Sequence, residues 1–152
     1  MTSARRQRIL ALTPRERLTE HWARLGITPD YRCVRGPEVG MAMVRGRMGG
    51  TGNAFNLGEM TLTRASVQLT DDDSAAGDAK LSLGHGWVKG RDPRHAELIA
   101  LVDACAKRRD WQAAIEEGLV APLEQALDAE RDENARSAAA TRVDFFTMVR
   151  GE

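Results

Sequence analysis

Lysine is nearly missing from this chain, where three of 22 cationic residues are Lys and the rest are Arg. Cysteine is as scarce, and Cys33 and Cys105 stand in unrelated contexts. They build neither a disulfide framework nor a metal-ligand pair, and both read as buried thiols. No apolar run approaches the roughly 20 residues of a membrane span. The opening Met1-Thr-Ser-Ala-Arg-Arg-Gln-Arg lacks the apolar core of a secretory signal, so the expected location is the cytoplasm. Net charge is absent too, 22 acids matching 22 cations, which argues against a protein that coats nucleic acid.

What is present fits one domain over residues 1–152. Hydrophobic residues at 42 % and charged residues at 29 % allow one packed core and give no sign of disorder. Charge is unevenly spread. Between Tyr31 and Thr70 five Arg (Arg32, Arg35, Arg45, Arg47, Arg64) face two Glu, whereas Asp110 to Asn134 holds eight acids and the single Arg131. That asymmetry suits an anionic ligand or an oppositely charged partner, although a coding bias toward Arg and Ala gives the same enrichment.

The pattern predicts an α+β domain. Its antiparallel sheet of about four strands is flanked by an N-terminal helix and C-terminal helices. Residues 1–26 read as helical, with Thr13-Pro-Arg-Glu16 as a capping box, Leu18, Trp22 and Leu25 on one apolar face, and Gly26 as the stop. His21 sits beside that face as a surface residue. The sheet is expected over about 31–90. Gly36-Pro37 divides Tyr31–Arg35 from Val39–Arg47 as a hairpin turn, and Met41 and Met43 read as core filler. In the third strand, Glu59 to Leu69, apolar parity shifts from Met60 and Leu62 to Ala65, Val67 and Leu69, predicting a bulge near Arg64. An acidic turn from Asp71 leads to a fourth strand, Leu81 to Lys89, with Leu81, Leu83, His85 and Trp87 on one side.

The C-terminal helical part covers about 93–141. Asp92-Pro93 caps a helix striped by Leu98, Leu101, Val102 and Cys105. A short helix around Trp111 ends at Gly118, and another begins at Pro122, turning almost wholly polar, with nothing left to bury from Glu130 to Arg136. The chain closes on an apolar tail, 143–152, in which Val143, Phe145, Phe146, Met148 and Val149 need a surface to bury against, their own core or a partner's.

Two constellations can carry chemistry. The first is the loop from Arg45 to Glu59, where Gly49, Gly50 and Gly52 alternate with Thr51, Asn53 and Asn56 behind Arg45 and Arg47. Glycines let backbone N–H groups converge on an anion, and guanidinium adds bidentate phosphate contacts. It is neither a Walker loop nor a dinucleotide fingerprint. A structural Gly-rich turn gives the same composition. The second is His85 with Arg91-Asp-Pro-Arg-His95 at a helix start, where free N–H groups favour anions. His85 reads equally as a core histidine. No Ser/His/Asp or Cys/His set and no metal site is evident.

Three stretches together resemble the PhnG family, the G subunit of the carbon-phosphorus lyase core complex. They are Arg35-Gly-Pro-Glu-Val-Gly through Asn56-Leu-Gly-Glu-Met-Thr, Gly86-Trp-Val-Lys-Gly-Arg-Asp-Pro-Arg-His-Ala-Glu, and Ala140-Thr-Arg-Val-Asp-Phe-Phe-Thr-Met-Val-Arg-Gly-Glu152. The resemblance implies a cytoplasmic complex with H, I and J subunits, two copies of each. It implies displacement of the purine base of ATP or GTP by an alkylphosphonate, forming ribose 1-phosphonate 5-triphosphate. Iron-sulfur and S-adenosylmethionine chemistry falls to another subunit, and this one carries no recognised catalytic residues. Three readings follow. Arg45, Arg47, Arg64, Arg91, His95 and the Gly-rich loop help position an anionic substrate; the chain is purely a scaffold; or it is an independent phosphate-ester enzyme using His85 and His95.

Overall fold

The computed structural model describes residues 2–70 and 83–141. The acidic turn, Leu81 and the apolar tail with Val143, Phe145, Phe146, Met148 and Val149 lie outside the described residues.

Two helices, not one, open the chain: α1 spans Ser3–Leu12 and α2 spans Arg15–Leu25. Pro14 separates them because it lacks the N–H that a continuing helix needs. Thr13 Oγ1 donates to the Ile9 carbonyl at 2.8 Å, closing α1, and Pro14 takes the cap position of α2 with no side-chain bond. The expected capping box therefore does not form, and Glu16 pairs with Arg15 instead. The apolar face of α2 is as expected, with Leu18 fully buried and Trp22 and Leu25 packed against the core. Gly26 ends α2 at φ 65.

Among the described residues the sheet has three antiparallel strands in the order β1-β2-β3: Tyr31–Arg47, Ala54–Leu69 and Leu83–Lys89. Gly36-Pro37 does not turn the chain. It is absorbed as an irregularity within β1, whose register slips between Cys33 and Arg35 and again between Arg35 and Glu38. The two expected strands thus merge into one. The parity shift expected near Arg64 also resolves differently. Thr63, Ala65, Val67 and Leu69 form one buried face of β2, and Met60 and Leu62 belong to the other parity. The extra residues opposite this region sit in β1.

On β3, Leu83, His85 and Trp87 do share a side, but it is the outer one. Gly84, Gly86 and Val88 face inward against α3, Pro93–Cys105. A Cβ on Gly84 would lie 2.0 Å from the Ala100 carbonyl oxygen, and one on Gly86 2.0 Å from that of Ala96. Only glycine permits so close a helix–strand approach. Asp92 caps α3 as expected, its Oδ1 accepting from the His95 N–H at 3.1 Å, with Pro93 in the first turn.

Buried on nearly every side, α3 shares one hydrophobic core with Ile9, Leu10, Val67, Ile115, Leu119 and Leu123. After α4 (Arg109–Ile115) the helix does not end at Gly118. It widens into a π turn over Glu116–Val120 and continues as α5, Ala121–Ala140. The wide turn is where Pro122, which has no N–H to donate, enters a helix that runs on through it. Residues 128–141 are exposed all round, matching their polar sequence.

Candidate functional site

The Gly-rich segment is the tip of a long β1–β2 ribbon. Arg45 stands opposite Asn56 and Arg47 opposite Ala54, and a short 3-10 turn, Met48–Gly50, reverses the chain. Gly49 at φ 61 and Gly50 at φ 80 adopt the left-handed conformation that the reversal requires. The tip bonds to itself: the Gly52 N–H donates to the Met48 carbonyl at 3.0 Å, and Arg47 Nη1 donates to the Gly52 carbonyl at 3.2 Å. Thr51, Asn53 and Asn56 are exposed. Arg45 is exposed as well and has no ion-pair partner among the described residues. The fold therefore gathers Arg45, Arg47, Gly49, Gly50, Thr51, Gly52, Asn53 and Asn56 at one end of the ribbon.

The remaining candidates are elsewhere. Arg64 lies eight residues along β2 from Asn56, on the order of 25 Å at strand rise. It is already engaged, with Nη2 2.9 Å from Glu38 Oε2 and its guanidinium carbon 5.9 Å from the Trp87 ring centre. Arg91 is exposed before α3. His95 is buried, its Nε2 3.0 Å from the Leu10 carbonyl, so it ties α3 to α1 and meets no solvent-borne anion. One site built from all of these residues does not exist.

His85 is exposed, not in the core, and its Nδ1 lies 2.9 Å from Ser66 Oγ. Among the described residues no carboxylate orients that ring. Asp103 reaches only the His85 backbone N–H, at 3.2 Å, so a nucleophile–base–acid triad is not assembled. Asp103 is instead the centre of a buried ionic cluster with Arg6 and Lys107. Burial by itself raises its pKa. The hydrogen bonds from Arg6 and Lys107 outweigh that, holding the carboxyl below the usual range.

Cys33 is exposed, unlike the buried Cys105. Its Sγ is 3.6 Å from Glu97 Oε1, which also accepts from Tyr31 Oη at 2.9 Å. Desolvation of the sulfur and the Glu97 charge raise the thiol pKa, and the same causes push Tyr31 up to about 12. A cleft of about 330 Å³ with a mixed polar and apolar lining lies between Arg6, Ala106, Arg109, Gln112, Ile115 and Glu116 beside the π turn. Among the described residues no group of three or more His, Cys, Asp or Glu would hold a metal ion, and no helix is long and apolar enough to cross a membrane.

Sequence reading missed the ribbon's length and exposure. Met41 is 70 % exposed, Met43 51 % and Met48 77 %, so the methionines are surface residues and not core filler. The signal lay in residues 39–44, where both parities are apolar, a pattern that needs cover on two sides.

Over residues 2–151 the chain matches the family described as "Phosphonate metabolism protein PhnG". It is 42 % identical over 145 residues to the alpha-D-ribose 1-methylphosphonate 5-triphosphate synthase subunit PhnG of Rhizobium meliloti (strain 1021), covering 95 % of this chain and 86 % of that relative. The match runs through helices, ribbon and sheet alike, and on it the chain belongs to the PhnG family of phosphonate metabolism proteins.

Proposed function

We propose that this chain is an accessory subunit of an alpha-D-ribose 1-methylphosphonate 5-triphosphate synthase, acting in the cytoplasm with H, I and J partner subunits. Within that assembly it supports displacement of the purine base of ATP or GTP by an alkylphosphonate. The observation that carries the reading is the 42 % identity, over nearly the whole chain, to a protein named as a subunit of that synthase. An accessory role suits the ribbon tip, where exposed Arg45 and Arg47 present charge beside a Gly-rich turn and, among the described residues, no oriented nucleophile or base joins them. In this proposal the subunit binds no cofactor by itself, and iron-sulfur and S-adenosylmethionine chemistry belongs to another subunit.

Arg45, Arg47 and the tip from Gly49 to Asn56 are the candidate electrostatic contribution, presented to a triphosphate or phosphonate bound on a neighbour. A scaffold with no substrate contact is the second reading, favoured by the self-bonded tip and by the exposed apolar ribbon behind it. Co-expression of the full chain with the H, I and J subunits tests the proposal. Native mass spectrometry reads assembly, and release of adenine from ATP with methylphosphonate reads activity. A complex that assembles and works only with this chain is expected; full activity without it would sink the proposal. Arg45→Ala with Arg47→Ala separates the readings, since unchanged assembly together with unchanged substrate affinity removes the electrostatic one.

A further inference from the structure

The third strand stops early. Strand β3 pairs only with residues 62–68 of β2, so β1 and β2 continue past it as a two-stranded arm of residues 41–47 and 54–61. Two-stranded ribbons are marginal in water unless something packs on them. This one exposes Met41, Met43, Met48, Phe55 and Leu57, the last 62 % accessible, with exposed Val39 at its base.

The outer edge of β1 changes character at Glu38. On the core side of that residue the edge is blunted by two register slips, by Pro37, which has no N–H, and by the Arg35–Glu38 ion pair at 3.3 Å. On the far side, residues 39–44 run in unbroken register with no charge and no proline. An uncharged, regular, apolar edge is an aggregation hazard if it stays open, so the arm needs a cover.

Charge identifies the kind of cover. The arm's cations are Arg45 and Arg47 at its tip, and its sole acid is Glu59, opposite Met43. A second copy would bring the same cationic tip. It would also bring an acidic α5, but residues 128–141 of that helix are exposed all round and carry no large apolar side chain to meet the body of the arm. A small anion alone would leave the apolar body of the arm in water. Exposed methionines, unbranched and adaptable, suit a shaped apolar protein surface.

We infer that the β1–β2 arm is a docking arm that lies in an apolar groove, acidic at its far end, on a partner subunit. This rests on the proposed subunit role and assigns a surface to it. The full chain is co-expressed with its partner subunits as wild type, as Met41→Glu with Met43→Glu, and as Arg45→Glu with Arg47→Glu. Circular dichroism and thermal melting of each isolated chain establish that the exposed substitutions leave the fold intact. Retention of partner is expected to fall about tenfold or more for the methionine pair, which places charge in an apolar contact, and measurably for the arginine pair.

A second measurement needs no substitution. Peroxide should oxidise Met41, Met43 and Met48 in the isolated wild-type chain and spare them in the complex. Wild type that recruits no partner overturns the subunit role itself. Wild type and both variants assembling equally well, with the methionines still oxidised in the complex, overturns the docking arm alone. Protection of these methionines in the isolated chain would give the surface to a second copy or to the chain's own apolar tail, and overturn the partner groove. Arginine variants that assemble normally and lose only substrate affinity overturn its acidic end.

Discussion

Arg6 of α1 and Asp103 of α3 form a buried ion pair, their side chains 7 % and 2 % accessible, with Lys107 Nζ 2.9 Å from the second Asp103 oxygen. Asp103 Oδ2 also accepts from the His85 backbone N–H, so one carboxylate fastens α1, α3 and β3 together. Removing Arg6 strands a buried anion with only the half-buried Lys107 to balance it. Arg6→Leu is expected to cost about 2–4 kcal/mol, toward the lower part of the range for breaking a buried pair because Lys107 remains. Urea unfolding of the isolated chain measures this. A cost within a few tenths of a kcal/mol would mean that the pair is not closed in solution.

The same carboxylate sets a pH dependence. Its pKa is lowered in the folded state, so the stability it contributes is fully present above the unfolded carboxylate pKa. That stability is lost as pH falls through the usual carboxylate range and then through the lower folded value. Urea midpoints taken from about pH 7 to about pH 2.5 should fall for wild type. The Asp103→Asn chain should be less stable at neutral pH and lose less on acidification. Parallel curves for the two chains would remove Asp103 from the account.

Gly84 and Gly86 give the sharpest packing test. A methyl group at Gly86 meets the Ala96 carbonyl oxygen and the Ala100 backbone nitrogen, and neither can yield without moving α3 off β3. Gly86→Ala is expected to destabilise by about 3 kcal/mol or more, above most overpacked core substitutions because backbone and not a side chain must give way. Gly40→Ala, at the base of the arm with nothing within 4 Å of the new methyl, is the matched control and should be near neutral. Equal melting temperatures for Gly86→Ala and wild type would refute the close approach.

His95 separates what the sequence made legible from what it did not. A capped helix start at Asp92-Pro93 was readable from local chemistry, and so were the stop at Gly26 and the apolar faces of α2 and α3. Those depend on residues within a turn of each other. Whether His95 faced solvent depended on α1, 85 residues away, whose Leu10 carbonyl takes its ring nitrogen. The bulged continuity of β1 through Pro37 depended likewise on β2 beyond it, and the burial of Gly84 and Gly86 on α3. The arm was hidden for a different reason: an apolar run reads as core whether its cover is its own chain or another's. His95→Ala should therefore cost about 1–3 kcal/mol of stability through the stranded Leu10 carbonyl. In assembled complex at a temperature where the variant stays folded, substrate affinity should be unchanged; a specific loss of affinity would return His95 to the binding site.

Cys33 is exposed yet should be a sluggish nucleophile. Desolvation of its sulfur and the neighbouring Glu97 charge both favour the protonated thiol, and only the thiolate attacks. With the pKa raised, the thiolate fraction at any pH below it is smaller than for an unperturbed thiol. Iodoacetamide at about pH 8 should accordingly label Cys33 in the isolated chain more slowly than a free cysteine reference, while buried Cys105 stays unlabelled until unfolding. Glu97→Gln removes the charge but keeps an oxygen that accepts from Tyr31 Oη, so the local geometry is retained. Because desolvation remains, the variant should recover part of the reactivity, a roughly threefold or greater rise in labelling rate rather than the full free-thiol rate. An unchanged rate would mean that desolvation alone holds the thiol, and a rate at or above the free reference in wild type would show that the Cys33–Glu97 contact does not persist in solution.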